Sequence, residues 1–161
     1  MQKIMVSACL MGDPVRYDGA AKPVQNAHLS RWQAQNRIIA FCPEIAGGFS
    51  TPRRPAEIEP DFDATDVLSG RAGIFDCAGT DVTQGFLNGA HAALQTAQHN
   101  GCQHAILTDA SPSCGSGFIY SGHFNGVKRA GFGVTAALLT RNGIKVWSQD
   151  MIDQLADVLA D

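Results

Sequence analysis

"KIMVSACLMG", residues 3–12, is a short apolar run that breaks into a cysteine and then a glycine turn. Residues 3–8 read as a buried strand, because short Ile/Val-containing runs bounded by turn residues suit the interior of a parallel sheet. The pattern returns as RIIAF at 37–41, HAILT at 104–108 and IKVW at 144–147. Helical patterns lie between these runs. Thr80 or Asp81 is placed to cap a helix reaching about residue 99, with Val82, Phe86, Ala90, Ala93, Leu94 and Ala97 on one face and Gly101 ending it. A second helix is predicted over 133–141, closed by Asn142-Gly143, and a third, amphipathic, over 149–160. DVLSGRAGIFD (66–76) reads as a hairpin turning at Ser69-Gly70, and STPRRPAEIEPD (50–61) as an irregular proline-rich loop. Strands alternating with helices predict one α/β domain over residues 1–161. It is expected to be a Rossmann-like, open, mostly parallel sheet with helices on both faces.

The composition narrows the function. The chain has 161 residues, 45% hydrophobic and 17% charged, with a formal net charge of −3. That balance offers no basic field for gripping duplex nucleic acid by its phosphates, although a small nucleotide needs only a few local donors. No apolar run approaches the ~20 residues that cross a bilayer. Val6-Ser7-Ala8-Cys9 looks like a lipoprotein cleavage site, but the few residues before it leave no room for a signal segment, so a cytoplasmic protein is expected. Five cysteines, an odd number with no CxxC pair, argue for free thiols, a metal site or catalysis, not for a disulfide framework.

Three of these cysteines are set apart by position. Cys9, Cys42 and Cys114 each follow a predicted strand, and ligands of open α/β sheets bind beyond the carboxyl ends of the strands. Cys102 precedes its strand and belongs at the opposite end; Cys77 is a weaker candidate. Cys9 with Arg16 suggests an anion-binding nucleophile loop, but six residues separate them where five are usual. FCPE holds Cys42 and Glu44 across a stiffening proline, and SPSCG supplies two hydroxyls beside the thiol of Cys114. GFGVTA (131–136) has the G-x-G-x-x-A form, yet NGVKRA before it is not a convincing strand. It reads as close packing at a helix N-terminus. The five histidines show no ligand spacing. Three thiolates are open to two metal readings. Zinc usually adds a histidine or water, and an iron–sulfur cube with three protein ligands keeps one iron open as a Lewis acid.

Taken together, "SACLMG…RYDG", "CPE", "GGFSTPRRPAEI", "DVTQGFLNGA", "SPSCG" and "GFGVTAALL" resemble a bacterial family, long a domain of unknown function, that includes the thiouracil desulfidases. The resemblance covers nearly the whole chain. It implies a [4Fe–4S] cluster held by Cys9, Cys42 and Cys114, with the substrate's thiocarbonyl sulfur on the fourth iron and water replacing sulfur without net redox change. It also implies catalytic roles for Glu44 and Ser111, and a substrate such as 2-thiouracil, 4-thiouracil or 4-thiouridine monophosphate. Arg16, Tyr17 and Ser113 are candidate substrate contacts, and Lys22, Arg53, Arg54, Lys128 and Arg129 are candidate phosphate partners. Many relatives carry a second cysteine just before the RYDG turn, where this chain has Val15. Two other readings stand beside this one: a metal-independent cysteine sulfurtransferase using Cys9 or Cys114, and a non-enzymatic metal or nucleotide sensor.

Overall fold

Strands form wherever a short apolar run finds a partner, and a computed structural model describes them over Met1–Asp161. In chain order they are β1 (Ile4–Ser7), β2 (Ile38–Phe41), β3 (Ala56–Ile58), β4 (Ile74–Asp76), β5 (His104–Leu107), β6 (Phe118–Tyr120), β7 (Lys128–Ala130) and β8 (Lys145–Ser148). The α-helices are α1 (Ala27–Ala34), α2 (Pro43–Ala46), α3 (Ala64–Leu68), α4 (Thr83–His99), α5 (Val134–Arg141) and α6 (Ile152–Leu159). The four strands read from the sequence pair in parallel in the order β2-β1-β5-β8.

Side chains alternate across that sheet, as the period of two requires. Ile4, Val6, Ile106 and Trp147 bury against Leu29 and Trp32 of α1 and Ile152 and Leu155 of α6. Met5, Ala105 and Leu107 point the other way, onto Ala93 and Ala97 of α4 and Ala136 and Leu139 of α5. Helices therefore cover both faces, and the alanine stripe of α4 lets its backbone lie close to the sheet. Asp81 serves that helix from just outside it, its Oδ1 accepting the Thr83 N–H at 3.0 Å. At the far end Gly101 turns the chain at φ +66°. No helix is long and apolar enough to cross a membrane.

A third cluster, built around Ile58, Ile74, Phe86, Ile119 and Val134, corrects three expectations. The segment 66–76 is not a hairpin. Asp63 accepts the Asp66 N–H while the Asp66 carboxylate accepts the Asp63 N–H, a capping box that starts α3. The antiparallel pairing lies instead between β3 and β4, so the proline-rich stretch 50–61 contains a strand. Residues 128–130 are also a strand, pairing antiparallel with β6 outside the parallel sheet. The G-x-G-x-x-A stretch consequently lacks the parallel strand of a dinucleotide site. Gly133 at its heart serves packing: a Cβ there would stand 2.3 Å from the Ser113 carbonyl.

Candidate functional site

Three loops leave the carboxyl edge of the sheet and meet over one cavity of about 490 Å³. β1 runs into a 3-10 turn, Ala8–Met11, that carries Cys9. β2 runs into Cys42, the N-cap of α2, with Pro43 at the first helical position and Glu44 in the first turn. β5 runs into the loop 108–117, which carries Ser111 and Cys114. The strand order reverses between β1 and β5, where an open parallel sheet forms its ligand crevice. Cys9, Cys42, Cys114, Glu44 and Ser111 all line the cavity. Cys102 is buried at the amino end of β5, whereas Cys77 is exposed on the cavity rim.

Close packing and local hydrogen bonds set each loop. α2 has only four residues and is held from outside: a Cβ on Gly89 of α4 would stand 2.0 Å from the Pro43 carbonyl oxygen. This contact seats Cys42 and Glu44 directly on α4. In the loop after β5, one oxygen of Asp109 accepts three donors: the Ser116 N–H, the Ser116 hydroxyl and the Gly117 N–H. Ala110 then turns at φ +73°, an unusual conformation for a residue with a side chain. The Ser111 Oγ accepts the N–H groups of Ser113 (3.0 Å) and Cys114 (3.2 Å).

Glu44 is clamped between two loops. Arg53 Nε donates to Glu44 Oε2 at 2.6 Å, and the Ser111 hydroxyl donates to Oε1 at 3.0 Å. The remaining Arg53 donors go to the Val15 carbonyl, the Ser50 carbonyl and the Thr51 hydroxyl. Both partners of the ion pair are largely buried, with 10% and 13% of their side chains exposed. A charge-assisted pair so placed fixes a carboxylate far better than a surface pair does. Arg53 thereby ties the Cys9 loop, through Val15, to the Cys42 loop, through Glu44. The two N–H groups on Ser111 polarise its hydroxyl toward Glu44, so one carboxylate oxygen is fixed and the other shares a proton donor.

Burial dominates at all three thiols, against partial relief from Arg16 and Lys22 at Cys9 and from Arg53 at Cys42. Burial, then the neighbouring Cys42, pushes the Cys9 thiol up from its ordinary value; burial does the same to Cys42, with Glu44 adding. Cys114 is pushed highest, by burial first and then by Glu44, Cys42 and Cys9, against a hydrogen bond with Ser7 that lowers it. Three thiols lining one cavity form a soft donor set whose natural partner is a soft metal centre. No three His, Cys, Asp or Glu side chains are gathered for a single metal ion. Thiols spread round a cavity suit a larger group that bridges them, and the residues fit an iron–sulfur cluster on that ground. No histidine lines the cavity to serve as the base of a metal-free cysteine nucleophile.

The other expected contacts divide. Arg16 and Tyr17 line the mouth, the guanidinium 6.0 Å from the Tyr17 ring centroid. Ser113 does not line the cavity: it is buried, and its hydroxyl is 2.7 Å from that of Thr135 on α5. Of the five candidate phosphate partners, Arg53 is committed to Glu44, and Arg129 donates to the carbonyls of Glu59 and Phe62. Lys128 lies over the rings of Phe118 and Tyr120, and Lys22 is not in the wall. Arg54 is at the mouth, 3.8 Å from Asp76 and largely exposed. Asp109, and Arg53 as partner of Glu44, escaped the sequence reading. An aspartate directly after an apolar strand, ahead of a Ser/Gly-rich stretch, was the signal available for the first.

The chain is similar to known proteins along nearly its whole length. A family model described as 2-thiouracil desulfurase matches residues 4–151. "Uncharacterized protein YbbK" of Bacillus subtilis (strain 168) is 42% identical over 152 residues, 94% of this chain and 99% of that one. A solved structure, the [4Fe-4S]-dependent thiouracil desulfidase TudS (DUF523Vcz), is 46% identical, with a TM-score of 0.90 over 99% of each chain.

Proposed function

The chain belongs to the 2-thiouracil desulfurase family, and from that premise we infer that it is a [4Fe–4S]-dependent desulfidase that removes sulfur as sulfide from a thiolated pyrimidine. The observation that carries this reading is the convergence of three strand-end thiols and the Glu44–Ser111 pair on one cavity. Cys9, Cys42 and Cys114 would hold the cluster. When bound, the group would supply Lewis-acid chemistry suited to a soft thiocarbonyl sulfur.

The chain's own residues handle the water. Exchange of C=S for C=O consumes one water and releases one H₂S, with no electrons gained or lost. Water must lose a proton as its oxygen bonds to the ring carbon, and Glu44 Oε1 is the acceptor. Oε2 stays fixed by Arg53, so the base keeps its direction. The Ser111 hydroxyl, held on Oε1 by its two backbone N–H donors, keeps that oxygen aimed at the water. Glu44 then returns the proton to the departing sulfur, and the second proton of H₂S comes from the hydroxyl newly formed on the ring carbon as C=O forms. Arg16 and Arg54 at the mouth are placed for a phosphate, which favours a nucleotide such as 4-thiouridine monophosphate over the free base.

Anaerobic reconstitution with iron and sulfide, followed by incubation with 2-thiouracil, 4-thiouracil and 4-thiouridine monophosphate, tests the reading. The expected result is a brown protein that releases sulfide from at least one of them, with the nucleotide having the lowest KM. Reconstituted protein that releases sulfide from none would overturn it.

A further inference from the structure

The tip of the β6–β7 hairpin, residues 121–127, hangs over the cavity and is bound down more firmly than an exposed loop needs. Gly122 approaches β3 so closely, at φ +96°, that a Cβ would stand 2.6 Å from the Ile58 carbonyl oxygen. Glu57 of β3, a carboxylate only 9% exposed, accepts two backbone N–H groups of the tip on one oxygen, Gly122 at 2.8 Å and Phe124 at 3.2 Å. Ser121 and Asn125 close the tip on itself. Between these ties Phe124 is held at φ +54°, a conformation that a bulky side chain rarely adopts. Such backbones persist only where the surroundings over-determine them.

The product of that effort is an aromatic ring in the cavity wall. Phe124 lines the cavity, and 39% of its surface is exposed. It belongs to none of the buried clusters, and no other ring or cation stacks on it. Tyr17, the other exposed ring of the wall, already carries the Arg16 guanidinium. A free aromatic face beside a pocket for a planar heterocycle is a stacking platform.

We propose that Phe124 is the platform on which the substrate's pyrimidine ring stacks, and that Glu57 is a positioning residue that fixes it through the hairpin tip. The proposal rests on the desulfidase reading for the identity of the ring, not for the platform itself. Stacking on substrate and transition state alike raises affinity without changing the chemical step.

The test uses the cluster-loaded enzyme and four variants: Phe124→Ala, Phe124→Tyr, Glu57→Ala and Glu57→Gln. Sulfide-release kinetics are measured together with equilibrium dialysis of UMP, which has the ring but no sulfur, and with iron content and Tm. Phe124→Ala is expected to raise KM and the UMP Kd about tenfold or more, with kcat and iron content near those of the parent. Phe124→Tyr should restore both. Glu57→Ala should reproduce the KM effect, and Glu57→Gln, which keeps an acceptor oxygen, should rescue it. Unchanged KM and Kd in Phe124→Ala would overturn the proposal. A parent enzyme that binds UMP yet releases no sulfide would overturn the desulfidase reading instead, and the UMP comparison would still decide the platform. A parent that binds no UMP overturns the proposal.

Discussion

Cys102 and Cys114 are equally buried, 5% exposed each, and belong to the same apolar cluster between the sheet and helices α4 and α5. They differ in which end of β5 they stand at. At the amino end of the sheet a buried arginine is paired. The Asp161 carboxylate accepts from Arg37 Nη1 at 2.7 Å and Trp32 Nε1 at 2.9 Å, and Arg37 Nε donates to the Gln2 carbonyl. At the carboxyl end Cys9, Cys42, Cys114, Glu44 and Ser111 are all turned to one cavity. Strand direction, not burial, separates the two thiols: one end of the sheet is a lock, and the other opens on the cavity where Cys114 is proposed as a ligand.

Replacing cysteines breaks the comparison most directly. Cys9→Ser, Cys42→Ser or Cys114→Ser should each lose most bound iron and all sulfide release, whereas Cys102→Ser keeps both. Iron analysis and sulfide assays on the same preparations check this. The next largest effect belongs to Glu44→Ala, expected to lower turnover by about 10²–10⁴-fold while iron content stays at the parent level. A variant that keeps its turnover would remove Glu44 as the base.

At the other end the effects should fall on stability alone. Asp161→Ala strips the acceptor from Arg37 and Trp32 and should cost about 1–3 kcal/mol in urea unfolding, with kcat unchanged. The smallest effect concerns His104, whose Nδ1 accepts the Trp147 indole N–H at 3.0 Å and so must be neutral. Burial first, then Lys145, lowers its pKa below the ordinary value. A group lowered in this way stabilises the fold above its unfolded pKa of about 6.5, and that stability is lost as pH falls through the lower folded value. The urea midpoint should therefore fall more between about pH 7 and pH 5 in the parent than in His104→Asn. Equal slopes would contradict this role for His104.

How much of this was legible follows from the range of the forces. β1, β2, β5 and β8 could be read because each buries an apolar run, and their carboxyl ends placed Cys9, Cys42 and Cys114 together. β3, β4, β6 and β7 have three residues each and exist only because they pair, so no local pattern announced them. The hairpin expected at 66–76 failed because a capping box outweighed the Ser69-Gly70 turn, which instead terminates α3. In the site, FCPE and SPSCG drew attention to Glu44 and Ser111. Arg53 was indistinguishable from Arg54 in TPRRP, since only the tertiary fold buries one against Glu44 and leaves the other at the mouth. Ser113 misled for the same reason: beside Cys114 in sequence, it is turned into the core against Thr135.

The central claim is that three thiolates of the carboxyl edge hold a cluster and leave one iron for substrate sulfur. Mössbauer spectroscopy of enzyme reconstituted with ⁵⁷Fe, before and after addition of a thiolated pyrimidine, tests it most directly. The expected result is one iron distinguishable from the rest, whose parameters shift when substrate is added while the others stay in place. Irons that are all equivalent, or a spectrum indifferent to substrate, would contradict it.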